Sequence, residues 1–165
     1  MRLFRSKKKW SAAFAGVAVI ATFAAVALGS MGTSFTPTSL VTGTLVNNVQ
    51  ENSDRVKFQT KDPTDVRVQS IVIGAGGNSG WHHHPGIVIA TVLSGQVTFT
   101  RSDCSSTTYG PGLSAGSVFV EGGDSAGRAS SVAGATLYAT FVAPHVNPPT
   151  GPVFRIEDDP PPCAS

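Results

Sequence analysis

The chain has 165 residues and a formal net charge of +2, a length that predicts one domain, or two at most. The positive balance comes from the first ten residues, which hold five Lys and Arg side chains and no acid. Without residues 1–29 the formal net charge changes from +2 to −3, because five basic charges and no acidic ones are removed. The overall charge therefore gives no support to nucleic-acid binding.

The N-terminal segment has the tripartite plan of a secretory signal. Its basic start is followed by an almost wholly apolar run at residues 12–28, with the small residues Ala27 and Gly29 at the end. Roughly 17 to 25 apolar residues can also span a bilayer, so cleavage near Gly29 and retention as a membrane anchor stay as alternatives. In either case we expect an extracytoplasmic protein, secreted or membrane-anchored, that touches the membrane only through this segment.

The chain has two cysteines, Cys104 in a polar segment and Cys163 close to the C-terminus. Disulfides form and persist in the compartments that exported proteins reach. We therefore predict that Cys104 and Cys163 pair. In the chain-entropy account, closing a loop of this size stabilises a fold by roughly 4 kcal/mol.

The rest of the sequence consists of short runs of Val, Ile, Leu, Thr and Phe separated by Gly, Asn, Asp, Ser and Pro. This texture favours short strands, and outside the N-terminal segment no apolar period of 3.6 residues is sustained. Such strands fit a sandwich, a jelly roll or a small barrel. We predict strands at residues 40–46, 55–60, 66–73, 80–84, 87–93, 96–101, 117–121 and 136–142.

The turn and loop residues between these strands indicate how the chain is divided into segments. Gly95 predicts a tight hairpin at residues 93–96, because glycine accepts a positive φ, and residues 102–116 predict a long surface loop. Four segments are expected, with the last one extended and irregular because of its prolines. They are a signal or anchor at 1–29, a linker at 30–38, a β-barrel at 39–147 and a Pro-rich tail at 148–165.

Three of the four histidines are consecutive, at His82, His83 and His84. Alternate side chains of a strand share a face, so His82 and His84 should point one way and His83 the other. Two imidazoles on one face can bind the same metal ion, and Fe, Mn, Ni and Zn all accept imidazole ligands. We predict that His82 and His84 are metal ligands.

Around these histidines the chain resembles the cupin superfamily. The first cupin motif is a glycine, five residues, His-x-His, three or four residues, a glutamate, six residues and a glycine. Gly76, His82, His84 and Gly95 fall in register with it. The glutamate position falls on Val88, so the carboxylate ligand that the resemblance implies is absent there.

The second cupin motif is weaker in this chain. Counted from Gly116, its histidine position falls on Gly127 and its asparagine position on Ser131. Glu121, in the same region, is expected to be a solvated turn charge, and His145 a surface residue. Residues 81–86, the turn at Gly95, the loop cysteine and the Pro-rich tail ending near a cysteine resemble, more narrowly, small exported bacterial cupins that also tend to lack the first-motif glutamate.

The resemblance implies an all-β fold, a single cupin double-stranded β-helix or jelly-roll barrel, with an immunoglobulin-like sandwich as the alternative. Three functions stay open. The first is binding of a small molecule, through one weakly held divalent transition metal at His82 and His84. The second is a metal-dependent enzyme of the dioxygenase or isomerase type. The third is an interaction module without metal, in which an exposed sheet forms a homodimer.

Nucleotide chemistry and serine-hydrolase chemistry are not indicated. Gly-x-Ser-x-Gly occurs at residues 112–116 and 123–127, but no helix is predicted after either, as a nucleophile elbow needs. A histidine-rich strand follows the glycines at 74–77, where a phosphate loop needs a helix.

Overall fold

A computed structural model of the chain describes residues 32–146 and 153–162. The predicted signal or anchor at residues 1–29 lies outside this part of the chain. No helix within the described ranges has the length and apolarity needed to cross a membrane.

The described residues form ten strands. Their bounds are β1 Thr33–Leu45, β2 Gln50–Asn52, β3 Lys57–Gln59, β4 Thr64–Asn78, β5 His82–Gly95, β6 Val97–Arg101, β7 Ser106–Tyr109, β8 Val118–Ser130, β9 Ala135–Pro144 and β10 Ile156–Glu157.

The strands build one antiparallel sheet that closes on itself. Its order is β1-β4-β9-β5-β8-β6-β7, and β10 adds to β5. A further pairing of β4 with β8, at Asn78 and Ser130, joins the two ends of the β4-β9-β5-β8 path. This closed arrangement confirms the predicted all-β jelly-roll barrel. Strands β2 and β3 form a separate two-stranded ribbon.

Strict alternation along the central strands separates the barrel interior from its outer face. On β5, Val88 and Ala90 are buried, whereas Ile87 and Ile89, which alternate with them, are exposed. Strand β9 follows the same period of two, with Leu137, Ala139 and Phe141 inside. The core is therefore made by one face of each central strand, and the cavity lined by His82 and His84 lies within it.

Two predicted strands, at 80–84 and 87–93, are one continuous strand in the structure. The register of β5 against β8 shifts between His84 and Ile87, so a bulge at Pro85 and Gly86 replaces the predicted break. The predicted strand at 117–121 likewise continues to Ser130 as β8. Its glycine-rich second half has weak β-propensity, but pairing with β5 and β6 overrides that preference.

The predicted hairpin at residues 93–96 is wrong in its pairing. Gly95 has the expected positive φ of 74°, yet β5 lies between β9 and β8, while β6 lies between β8 and β7. The turn carries the chain from one part of the barrel to another, because each flanking strand finds its partners elsewhere. In addition, part of the predicted loop at 102–116 forms β7, which pairs with β6.

Both ends of the predicted barrel segment need correction. Residues 33–38, expected to be a linker, are the first part of β1 and pair with β4. Strand β1 is almost entirely exposed, so its sequence carries no alternating apolar signal. Of the tail expected to be irregular, residues 153–162 return to the barrel, where Phe154 joins the core and β10 pairs with β5.

Candidate metal centre

His82 and His84 project from β5 into the same interior, as predicted. Their exposed fractions are 5% and 4%, and both rings line one cavity. The ring centroids are 4.8 Å apart, with the planes nearly perpendicular. His83 points the other way, and its Nδ1 atom lies 2.8 Å from a carboxylate oxygen of Asp158.

Backbone carbonyls fix the orientation of both rings. The Nδ1 atom of His82 lies 3.0 Å from the carbonyl oxygen of Gly80, and that of His84 lies 2.5 Å from the carbonyl oxygen of Phe154. Because a carbonyl can only accept, each Nδ1 donates, and in the neutral rings each Nε2 keeps a lone pair. The Nε2 atom of His84 is buried and has no hydrogen-bond partner among the described residues.

The environment keeps His82 neutral. Burial, and then the positive charge of Arg155, lower the pKa of His82 from 6.5 to about 4. The imidazole is therefore unprotonated at neutral pH, which is the form that binds metal.

Glu121 completes the cluster and was wrongly expected to be a solvated turn charge. Its side chain is only 13% exposed, and Oε1 lies 3.7 Å from Nε2 of His84. One ligand atom from each of His82, His84 and Glu121 lies within 4.8 Å of the other two. No other group of three such side chains is close enough to share an ion within residues 32–146 and 153–162.

Strand pairing explains how Glu121 reaches the site. It lies on β8 directly opposite Val88 of β5, and directly opposed residues of antiparallel strands point to the same face. Val88 is the position at which the first cupin motif has its glutamate. A carboxylate is thus supplied from the neighbouring strand, and the spacing within one motif could not show it.

The second-motif histidine position is filled differently. Gly127 lies opposite His82 in the β5–β8 register, and a Cβ atom there would collide with the ring of Phe99. Phe99 therefore occupies the space that a side chain at this position would need. Ser131 donates to the carbonyl of Gln96 at 2.7 Å and takes no part in the cluster.

His145 is not part of the cluster either. Its Nδ1 atom lies 3.0 Å from the carboxylate of Asp65, at the far end of β4 from Asn78. The site consists of two imidazoles and one carboxylate from two neighbouring strands. This donor set is the one that proteins use for non-haem iron and for catalytic zinc, so the residues fit a divalent transition metal.

A cavity of about 270 Å³ adjoins the three side chains. Its volume lies at the small end of ligand sites in proteins, and its walls are mainly aromatic and aliphatic. Four polar residues besides the cluster, Arg67, Gln69, Ser79 and Arg155, also line it.

The C-terminal segment forms one wall of this cavity. The Phe154 ring packs edge-on against Phe141, and the guanidinium carbon of Arg67 lies 3.9 Å from its centroid. Arg155 donates to the carbonyl of Ser79 at 2.6 Å and also binds the carboxylate of Glu157. The proline-rich composition of this tail did not indicate that it forms a wall of the cavity.

Cys104 lies in the turn between β6 and β7, where its backbone N–H donates to the carbonyl of Arg101. The predicted partner, Cys163, lies outside the described residues. The pairing stays a prediction.

No protein-family model matches the chain, and no curated protein matches it in sequence. Solved structures do align with parts of the chain. A conserved protein of unknown function from Streptococcus pyogenes aligns with a TM-score of 0.47 and 17% identity, over 68% of this chain and 76% of that one. A cupin superfamily protein from Desulfitobacterium hafniense aligns with a TM-score of 0.46 and 12% identity, over 66% of this chain and 77% of that one.

Salicylate 1,2-dioxygenase from Pseudoaminobacter salicylatoxidans aligns with a TM-score of 0.39 and 16% identity. The match covers 46% of this chain and 19% of the dioxygenase, so the chain spans about a fifth of that protein's length. These likenesses concern the fold alone. Fold and site together define a closed antiparallel jelly-roll β-barrel with a candidate metal centre of two histidines and one glutamate.

Proposed function

We propose that this protein is an exported cupin-type barrel that binds one divalent transition metal through His82, His84 and Glu121, and a small molecule in the adjoining cavity. The observation that carries the proposal is the buried, unpartnered Nε2 of His84, 3.7 Å from the Glu121 carboxylate. A buried polar atom without a partner is costly, and a bound metal would remove that cost. Export rests on the sequence of residues 1–29, as a signal or an anchor.

The protein's own groups prepare such a site in three ways. The carbonyls of Gly80 and Phe154 hold both imidazoles in the tautomer that turns Nε2 to the cavity. Burial keeps His82 unprotonated. The apolar walls limit water. When bound, a divalent metal supplies Lewis acidity toward an oxygen of the ligand, and three protein ligands leave positions for it.

A metal-dependent enzyme of the dioxygenase or isomerase type is the second candidate. It is favoured by the donor set, because two histidines and one carboxylate are typical of non-haem iron oxygenases. Oxygen uptake by the Fe²⁺-loaded protein with small organic acids distinguishes the dioxygenase type from a binding protein. A binding protein consumes no oxygen above the rate of the His82→Ala/His84→Ala variant.

Homodimer formation is a separate proposal that needs no metal. The outer face of β5, β8 and β9 exposes a set of large apolar side chains, and adjacent members such as Ile89 and Val120 are cross-strand neighbours. The set comprises Ile87, Ile89, Leu93, Val118, Val120 and Tyr138. Sedimentation should give a dimer for the native chain and a monomer for Ile89→Lys.

Elemental analysis of the untagged exported protein tests the metal proposal. We expect close to one transition-metal ion per chain, and less than a tenth of that in His82→Ala/His84→Ala. His83→Ala is the matched control, because it removes a neighbouring imidazole that faces away from the cavity. Absence of metal from the native protein, even after incubation with Fe²⁺, Mn²⁺, Ni²⁺ and Zn²⁺, would overturn the proposal.

A further inference from the structure

Arg67 occupies an unusual position for a charged side chain. It lies on β4 with Gln69 and Ile71, and all three line the cavity. The alternation of the strand is clear further along, where Ile73 is 1% exposed and Val72 is 49% exposed. Arg67 therefore lies on the inward face of β4, where its half-buried side chain lines the cavity.

No acidic side chain neutralises Arg67. Within the described ranges, none of the ion pairs includes it. Its Nε donates to Thr42 at 3.2 Å, and the guanidinium stacks on the ring of Phe154. Neither terminal nitrogen has a hydrogen-bond partner among the described residues. Arg67 thus keeps the four N–H groups of its terminal nitrogens free beside the cavity that it lines, on a guanidinium that is already held in place.

The other charges of the cavity wall are already engaged. Arg155 binds the carboxylate of Glu157 and the carbonyl of Ser79. Glu121 faces His84 at the candidate metal centre. Among the described residues, Arg67 is therefore the cation of the cavity wall that has no counter-ion.

We propose that Arg67 makes this cavity a site for a small monocarboxylate with an apolar body. The planar guanidinium fork matches the two oxygens of a carboxylate. The guanidinium of Arg67 accounts for the carboxylate, and the aromatic and aliphatic walls of a cavity of about 270 Å³ match a small apolar body. This inference deepens the proposed function, on which it rests for the role of the metal.

Calorimetry with two matched pairs of probes tests the inference on the full exported chain. The probes are benzoate with benzamide and butyrate with butanamide, since each pair has nearly the same shape and differs in charge. We expect the native protein to bind the acid of at least one pair ten-fold or more tightly than its amide. A hydrogen-bonded charge pair is worth about that factor or more.

The variants assign this preference to Arg67. Arg67→Gln should lose it, and Arg67→Lys should keep only part of it, because an ammonium lacks the planar fork. Arg101→Gln is the matched control. Arg101 also lies over a phenylalanine ring and forms no ion pair within the described ranges, but it is exposed outside this cavity.

The outcomes separate this inference from the metal proposal. Equal affinity for acid and amide, no binding of either, or an undiminished preference in Arg67→Gln would overturn it. Loss of preference in Arg67→Gln with unchanged metal content supports both. An acid preference that persists in the native protein and in His82→Ala/His84→Ala, with no metal in either, supports the Arg67 site and contradicts the metal proposal. If Arg67→Gln does not fold, a preference in Arg67→Lys equal to the native one counts against the inference.

Discussion

The ring of His84 is held in place by the backbone of Phe154. Nδ1 of His84 and the carbonyl oxygen of Phe154 are 2.5 Å apart, although 70 positions separate the residues in the chain. The bond selects the tautomer whose Nε2 faces Glu121. The C-terminal segment is therefore part of the site and not an appendage of the barrel.

Removal of residues 153–165 should weaken metal binding by about 10- to 100-fold, since the carbonyl partner of His84 is lost. Competition against a chromophoric chelator measures the change. Asp158→Asn is the control, because it breaks the contact with His83 on the other face and keeps the Phe154 carbonyl. Native affinity in the truncated protein would contradict this role of the tail.

Glu121→Gln should lower metal affinity ten-fold or more, because an amide oxygen is a much poorer ligand than a carboxylate for these ions. Asp124→Asn removes an exposed acid from the same strand and should change nothing. The same chelator competition gives both values. Equal affinity of the two variants would exclude Glu121 as a ligand.

A second carboxylate position can restore the site. Val88 and Glu121 are opposed across β5 and β8, so Val88→Glu in the Glu121→Gln background should recover metal binding. Because the new carboxylate is buried, this double variant should be stabilised by metal more than the native protein is. Thermal unfolding with and without Zn²⁺ measures this. No recovery of binding would show that the two positions are not equivalent.

The stability of the metal-free protein should fall as the pH drops from 6.5 toward 4. Burial lowers the pKa of folded His82 to about 4, whereas the unfolded chain takes up the proton near 6.5. The unfolded state binds more protons in this window, so the free energy of unfolding decreases by about 3 kcal/mol across it. Urea titrations in EDTA should show that His82→Gln loses less stability than the native protein between these pH values. Equal losses of stability in the two proteins would contradict the attribution of this pH dependence to His82.

The exported protein should contain a disulfide between Cys104 and Cys163. Intact mass before and after reduction, together with thiol titration, tests it directly. Cys104→Ser should lower the free energy of unfolding by roughly 4 kcal/mol or somewhat less. Two titratable thiols in the non-reduced native protein would exclude the pairing.

The sequence was informative where the decisive pattern is local. Alternation on one strand placed His82 and His84 on a common face, and the glycine spacing around them indicated the barrel. Glu121 was missed because its place depends on the register of β8 against β5, which no local pattern contains.

Arg67 and Phe154 were not predicted from the sequence as residues of the site, for related reasons. In the stretch 66–73, the valines at 66, 68 and 72 make the apolar face, which favours the opposite orientation of the strand. In the structure, the face with Arg67 and Gln69 points inward. Phe154 stands among prolines, so only the folded barrel shows the surface on which it packs.

The central claim is that His82, His84 and Glu121 hold one metal ion. A crystal structure of the metal-loaded protein, with anomalous data collected at the absorption edge of the metal, tests it most directly. We expect one anomalous peak, within about 2.0 to 2.2 Å of Nε2 of both histidines and an oxygen of Glu121. A peak elsewhere, or none at these three side chains in fully loaded protein, would contradict the account.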